Sequence, residues 1–279
     1  MRYNALTIDV EHWWCNEFLK RYLPEKREDQ LIDSVRFILD ILDKYNVRAT
    51  FFVLGSAAEE HPEVLEMIYE NGHEIGSHAY SHEPLYKLTR EQFEKEIKQS
   101  IKIIHKTTGE KSLGFRAPHF SINNRTKWAF EILEKYGFKY DSSIFPIKTN
   151  LYGVPNAPLT PYHPSKEDVS KHDPERRIIE FPLSVIRLAG INIPISGGFY
   201  LRTFPLRFMK WALKKVSKER PAVIYIHPWE IYPYTPRLKA SPLARFEAYH
   251  GTGLPTLRKF KALLKEFKFK PMGDIVDEL

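Results

Sequence analysis

Leu6-Thr7-Ile8-Asp9-Val10-Glu11 is a short, largely apolar run that stops at acids. It is the length of a buried strand, and the pattern downstream of it decides the fold. Leu31, Val35, Ile38, Leu39, Leu42 and Tyr45 recur at helical spacing, which predicts an amphipathic helix packed on that strand. Ala49–Leu54 is β-rich and ends at Gly55. Pro62 suits the first turn of a further helix, and Asn71-Gly72 is a good stop for it. Glu74–Ser77 reads as a third strand, and Thr89 with Gln92 forms a capping-box signature for the next helix. Gly114–Ala117 and a segment leading to Asp141 are the fourth and fifth strands. Trp128, Ile132, Leu133 and Tyr136 mark the helix between them.

From Pro146 to Pro174 the regularity lapses into a Pro-, Tyr- and Asn-rich stretch, read as a long surface excursion. Ile178–Leu188 and Ile191–Ile195 then read as strands, with Gly197-Gly198 a flexible turn. A helix near Pro205–Ser217, a final strand at Ala222–Ile226 and a last helix at Leu257–Phe267 complete the chain. Strands alternating with helices imply a parallel sheet, because parallel neighbours need crossovers. About seven such units predict an α/β fold, a closed or nearly closed (β/α) barrel. No internal repeat or linker divides the sequence, so residues 1–279 are expected to form one catalytic domain.

Composition bounds the function. Hydrophobic residues make up 43% and charged residues 28% of 279, ordinary for a folded soluble chain. No run approaches the roughly 18 apolar residues of a membrane span. An acid at position 9 falls where a signal peptide would still be apolar, so the expectation is a cytoplasmic protein. Cys15 is the only cysteine, which excludes an intrachain disulfide and a cysteine-based zinc cluster. The net charge of +7 invites a nucleic-acid reading. Much of the excess, however, sits at Arg207, Lys210, Lys214, Lys215 and Lys218 and at Lys259, Lys261, Lys265 and Lys268. There it alternates with apolar residues, as on a solvated helix face, and no nucleic-acid partner is expected. The sequence leaves the oligomeric state open, a homo-oligomer included.

In a parallel barrel the active site lies at the carboxyl ends of the strands. Those ends carry Asp9 and Glu11, His78 and His82, Arg116 and His119, Asp141, and His227. Such a concentration of ionisable groups costs stability unless they are paired. His78 and His82 are spaced i, i+4, which on one helical turn would let both imidazoles reach a single cation. Asp9 and Glu11, two apart on an extended chain, face the same way. Two acids there repel unless a cation neutralises one, so one ligand and one base is the economical division. Arg116 is placed to pair with Asp9, and His227 is a candidate general acid. His12 alternates in direction with Glu11 and is expected to face away. His119 is a candidate for lining the cleft, and Trp13 and Trp14 either stack on sugar rings or fill the core.

Thr7-Ile8-Asp9-Val10-Glu11, Ala49-Thr50-Phe51-Phe52-Val53, His73-Glu74-Ile75-Gly76-Ser77-His78-Ala79-Tyr80-Ser81-His82, Phe115-Arg116-Ala117-Pro118 and Ile224-Tyr225-Ile226-His227 resemble the ordered motifs of the polysaccharide deacetylases, the NodB-homology carbohydrate esterases. The resemblance runs from residue 3 to about residue 230. It implies a distorted (β/α) barrel and removal of N-acetyl groups from an amino-sugar glycan or oligosaccharide. It also implies one divalent ion, zinc with cobalt or nickel as alternatives, held by Glu11, His78 and His82. Asp9 is then the base that activates water, Arg116 orients it, and His227 protonates the departing amine. Asp141 would support His227. The usual pair of adjacent aspartates is here split by Val10, with Glu11 second, similar to peptidoglycan-deacetylase-like and allantoinase-like members. Hydrolysis of a small cyclic or linear amide, and a non-catalytic carbohydrate-binding role, are the competing expectations.

Overall fold

The structure is a computed structural model that describes residues 2–149 and 152–279. Its first half alternates as expected: β1 (Asn4–Val10), α1 (Leu31–Lys44), β2 (Thr50–Val53), α2 (Gly55–Glu60), α3 (Pro62–Glu70), β3 (Glu74–Ser77), α4 (Arg90–Thr108), β4 (Gly114–Phe115), α5 (Ala129–Lys135) and β5 (Tyr140–Asp141). The second half holds β6 (Ile179–Glu180), β7 (Val185–Leu188), β8 (Ile191–Pro194), α6 (Gly198–Thr203), α7 (Leu206–Glu219), β9 (Val223–Ile226) and α8 (Pro228–Ile231). It closes with α9 (Pro242–Tyr249), α10 (Leu254–Glu266), β10 (Phe269–Lys270) and α11 (Met272–Val276).

Local chemistry sets the helix ends. Asp29 Oδ1 accepts from the Leu31 amide at the start of α1. Pro62 occupies the first turn of α3, where its missing N–H costs nothing. Thr89 and Gln92 make the reciprocal capping box at the start of α4, and Gly109 ends that helix in the left-handed region.

Seven strands run parallel in the order β9-β1-β2-β3-β4-β5-β6 and curl into a half-barrel. Ala5, Thr7 and Ile8 pair with β9 as well as with β10 or β2. Thus β9 holds one edge of β1, while β2 and the short β10 share the other. Every residue of β1 is buried, as befits a strand covered on both faces. The main core packs α1, α3, α7 and α10 against β1, β2 and β9 through residues such as Ile8, Val35, Phe51, Leu213, Ile224 and Phe260.

The second half departs from the sequence reading in five places. Ile178–Leu188 is not one strand. Pro182 has no N–H for a ladder, and the chain splits into β6 in the half-barrel and β7, which pairs antiparallel with β8 as a separate hairpin. The hairpin approaches the open side of the barrel, where Ser184 Oγ accepts from the Val223 amide of β9. The excursion after Pro146, of which residues 150 and 151 lie outside the described residues, is not wholly superficial. Val154, Ala157, Tyr162 and Val169 are buried in it, and Tyr162 pairs with Glu180. The strand at Val223–Ile226 is followed by β10. Gly198 opens a helix instead of continuing a turn, and α9, absent from the sequence reading, is capped by Ser241, whose Oγ accepts from the Ala244 amide. Among the described residues, no helix is long and apolar enough to cross a membrane.

Candidate active site at the barrel mouth

Asp9 is the penultimate residue of β1, and Arg116 follows β4. Arg116 is fully buried and its guanidinium is spent on four acceptors. Nη1 donates to Asp9 Oδ1 at 2.6 Å and to Thr7 Oγ1 at 2.8 Å, Nε to the Ser142 carbonyl at 3.0 Å, and Nη2 to Ser142 Oγ at 3.0 Å. Its carbon lies 4.3 Å from the centre of the Phe52 ring and 5.4 Å from that of Tyr225. A planar cation held this way fixes the rotation of the Asp9 carboxylate.

His78 and His82 converge, but not on a helical turn. Residues 78–83 form a loop in which Ala79 and His82 have φ of 61° and 62°, a region sparsely used by residues with side chains. The loop is clamped from two sides. Glu96 Oε2 on α4 accepts from the Tyr80 and Ser81 amides, and the Ala79 and Tyr80 carbonyls accept from the Gly55 and Ser56 amides of α2. The Arg116 carbonyl lies 2.8 Å from His78 Nδ1. A carbonyl only accepts, so Nδ1 carries the proton and Nε2 presents its lone pair. Burial lowers the pKa of His78 to about 4, keeping it neutral, the form a metal ligand needs.

Glu11 stands between three imidazoles. Its Oε2 lies 2.5 Å from His82 Nε2 and 4.0 Å from His78 Nε2, and its Oε1 lies 3.5 Å from His227 Nε2. Burial alone would raise the Glu11 pKa, but His82, His227 and His78 hold it well below the usual carboxylate range. Oε2 nonetheless has no aligned hydrogen-bond donor although it is buried. A buried carboxylate oxygen facing two imidazole nitrogens suits a divalent ion of the zinc type; Glu11 and His82 are placed to hold it, with His78 Nε2 4.0 Å from Glu11 as the further donor. Cys15 Sγ is close to the same atoms. Burial and the Glu11 charge raise its pKa well above normal, so the thiol stays neutral until a cation binds beside it.

His227 follows β9, and its ring stacks on Trp229. Its partner is Glu230, not Asp141. Glu230 Oε2 accepts from the His227 amide and lies 3.0 Å from Nδ1. Burial opposes a charge on His227, but Glu11, Glu230 and Asp9 outweigh it and raise its pKa to about 9. Glu230 is itself fixed by Arg202, whose Nε donates to Oε1 at 3.0 Å while its other nitrogens donate to the Glu247 and His250 carbonyls. A Cβ at Gly198 would collide with the Glu230 carboxylate, so the glycine makes room for it. Sequence reasoning missed both Glu230 and Arg202. The His227-x-x-Glu230 spacing at a helix start was the available signal.

Asp141 lies elsewhere. It is fully buried beside Glu180, and Ser143 Oγ donates to its Oδ1. Burial raises the pKa of both carboxyls, and the Asp141 charge raises Glu180 further. Asp141 Oδ2 and Glu180 Oε2 lack donors, and one shared proton supplies the missing one. The pair braces the loop whose Ser142 holds Arg116. Trp13 is buried, and its indole donates to the Glu28 carbonyl, which makes it a core residue instead of a sugar platform. Trp14 is the partly exposed one. His119 does reach the mouth, with its ring 4.7 Å from that of His82. A cleft of about 460 Å³ beside His82 is lined by Trp14, Cys15, Lys20, Ser81 and Glu83 among others. A cavity of about 490 Å³ against the β7–β8 hairpin contains none of these site residues.

Residues 29–140 match the polysaccharide deacetylase family, and residues 142–277 match a domain of unknown function (DUF3473). The first match shows that residues 29–140 are similar to polysaccharide deacetylases. The chain is 38% identical over 107 residues to the peptidoglycan deacetylase of Helicobacter pylori, a match covering 38% of the chain and 36% of that protein. It is 39% identical over 95 residues to a peptidoglycan-N-acetylglucosamine deacetylase of Bacillus cereus, covering 34% of each. The chain thus spans about a third of the length of these curated relatives. A solved structure from Mycobacterium smegmatis, described provisionally as a polysaccharide deacetylase, superposes with a TM-score of 0.63 at 20% identity. That superposition covers 99% of this chain and 89% of the other, and it shows the shared fold. The half-barrel is therefore of the NodB-homology type, and β9 joins the DUF3473 segment to the same sheet through β1.

Proposed function

We propose that this protein hydrolyses N-acetyl groups on an amino-sugar-containing glycan, releasing acetate and leaving a free amine on the sugar. The observation that carries this reading is the convergence, at one barrel mouth, of an Arg116-held Asp9, a Glu11–His78–His82 cluster with an orphaned carboxylate oxygen, and a Glu230-held His227. The named activities of the Helicobacter and Bacillus relatives support the substrate class.

Glu11, His78 and His82 would hold the divalent ion, zinc or else cobalt or nickel. When bound, such an ion lowers the pKa of water and polarises an amide carbonyl. Asp9 accepts the proton of the attacking water, and Arg116 keeps that carboxylate aimed. As the C–N bond breaks, His227 gives its proton to the departing nitrogen, so the sugar leaves as an amine. Glu230 holds His227 in the charged form and fixes the ring, with Nε2 toward the reacting groups.

Purified protein loaded in turn with zinc, cobalt and nickel is assayed for acetate release from a panel of chitin-type and peptidoglycan-type glycans. Release is expected with at least one metal. His78→Ala with His82→Ala abolishes release and the bound equivalent of metal, while Asp9→Asn keeps the metal and loses turnover. No release from any glycan by metal-loaded protein would sink the proposal.

A further inference from the structure

We infer that His12, Asp29, Glu60 and His61 form a second divalent-cation site, separate from the Glu11–His78–His82 cluster. These four residues bring one ligand atom each to within 4.8 Å of one another. His12 lies just past the end of β1, Asp29 just before α1, and Glu60 and His61 at the junction of α2 and α3. Three separate parts of the chain thus meet at one point.

The His12 ring shows that this is more than a group of surface charges. It is 5% exposed, yet neither ring nitrogen has a hydrogen-bond partner. Nδ1 faces Asp29 Oδ1 at 3.4 Å and Nε2 faces Glu60 Oε2 at 3.3 Å. The ring is held in that direction by stacking on Trp14, with centroids 4.0 Å apart and planes within 8°. Both nitrogens of this buried ring face carboxylates without an aligned hydrogen bond, a costly arrangement, and a cation bound at one of them would give that nitrogen a ligand bond. Donors that share a tetrahedral ion at 2.0–2.2 Å sit roughly 3.3–3.6 Å apart, the separation of His12 Nε2 from Glu60 Oε2, and an imidazole gives an ion one nitrogen only. His61 Nε2 and Asp29 Oδ2 approach to 2.6 Å, a direct contact that an ion between them would open.

Two imidazoles with two carboxylates suit zinc or cobalt in preference to magnesium or calcium, which favour all-oxygen shells. Two carboxylates neutralise the ion, so the site needs no further anion. Its role comes from the segments it joins. It ties the stretch carrying Glu11 and Trp14 to the starts of α1 and α3, stiffening one wall of the cleft.

The test is a cobalt titration of chelator-stripped protein, read by visible absorbance and by metal analysis after desalting. The wild type is expected to bind two equivalents. Glu60→Gln with His61→Gln should bind one, and so should His78→Ala with His82→Ala. All four changes together should bind none. Wild-type protein saturating at one equivalent, with that equivalent lost in the His78/His82 variant, would overturn the second site and leave the proposed active site standing. Persistence of both equivalents in the Glu60/His61 variant would also overturn it. Circular dichroism confirms that each variant is folded. Should the His78/His82 variant fail to fold, the comparison of wild type with the Glu60/His61 variant decides alone. Glu60 is largely solvent-exposed, so Glu60→Gln by itself provides a folded reference in which the second equivalent binds more weakly.

Discussion

Arg116 Nη1 lies 2.6 Å from Asp9 Oδ1, and the two side chains are 0% and 2% exposed. They are 107 residues apart in sequence, so the pair exists only when β1 and β4 are both in place. The pair serves the fold as well as the chemistry.

Removing one partner of a buried ion pair leaves the other uncompensated. Arg116→Ala is expected to destabilise the protein by about 3–5 kcal/mol and to abolish acetate release. Arg116→Lys keeps the charge but loses the fork that also reaches Thr7 and Ser142. It should fold with a lower melting temperature and a reduced kcat. Calorimetry and steady-state kinetics on both variants check this. Unchanged kcat in a folded Arg116→Lys protein would contradict the orienting role.

Glu230 is one of the carboxylates that raise the pKa of His227. A general acid must be protonated, so activity is lost as pH rises through the pKa of that group. Glu230→Gln removes a supporting charge, lowers that pKa and moves the alkaline limb of the kcat profile to lower pH. The measurement is kcat against pH for both proteins, and coincident alkaline limbs would rule the pairing out.

Gly198 leaves space for the Glu230 carboxylate. Gly198→Ala forces that carboxylate or the start of α6 to move, a crowding cost of about 1–3 kcal/mol. A lower melting temperature is expected together with the alkaline-limb shift of Glu230→Gln. Denaturant melts and the same pH series report the two effects independently.

His73 is buried below β3, and its Nδ1 accepts from the Ala49 amide at 3.2 Å. Burial and the Arg48 charge lower its pKa to about 4. The unfolded chain takes up this proton near pH 6.5, whereas the folded chain resists it until about pH 4. Between those values the unfolded state binds more protons, so stability falls as pH falls. Above pH 6.5 the contribution is flat. The loss is roughly 3 kcal/mol across the window. His73→Asn keeps an acceptor that does not titrate there and should flatten that part of the curve in urea melts from pH 7 to pH 4.

The sequence by itself determined the alternation of strands and helices in the first half, the caps at Pro62, Thr89 and Asn71-Gly72, and the strand-end positions of Asp9, Glu11, His78, His82, Arg116 and His227. These are legible because hydrophobic period, capping and strand termination are local, and a parallel strand points its last residues at one mouth wherever its neighbours lie. Only the tertiary structure decided which groups meet. Glu230 rather than Asp141 faces His227, since α8 follows β9 directly while β5 delivers Asp141 to Glu180 on β6. A loop with two left-handed residues, clamped by Glu96 and α2, brings His78 and His82 together in place of the helical turn their spacing suggests. His12 points away from Glu11, as alternation predicts, but its facing Asp29, Glu60 and His61 depends on how α1 and α2 pack beside β1. Pairings between distant segments are fixed by sheet register and helix packing, and no short stretch of sequence carries that information.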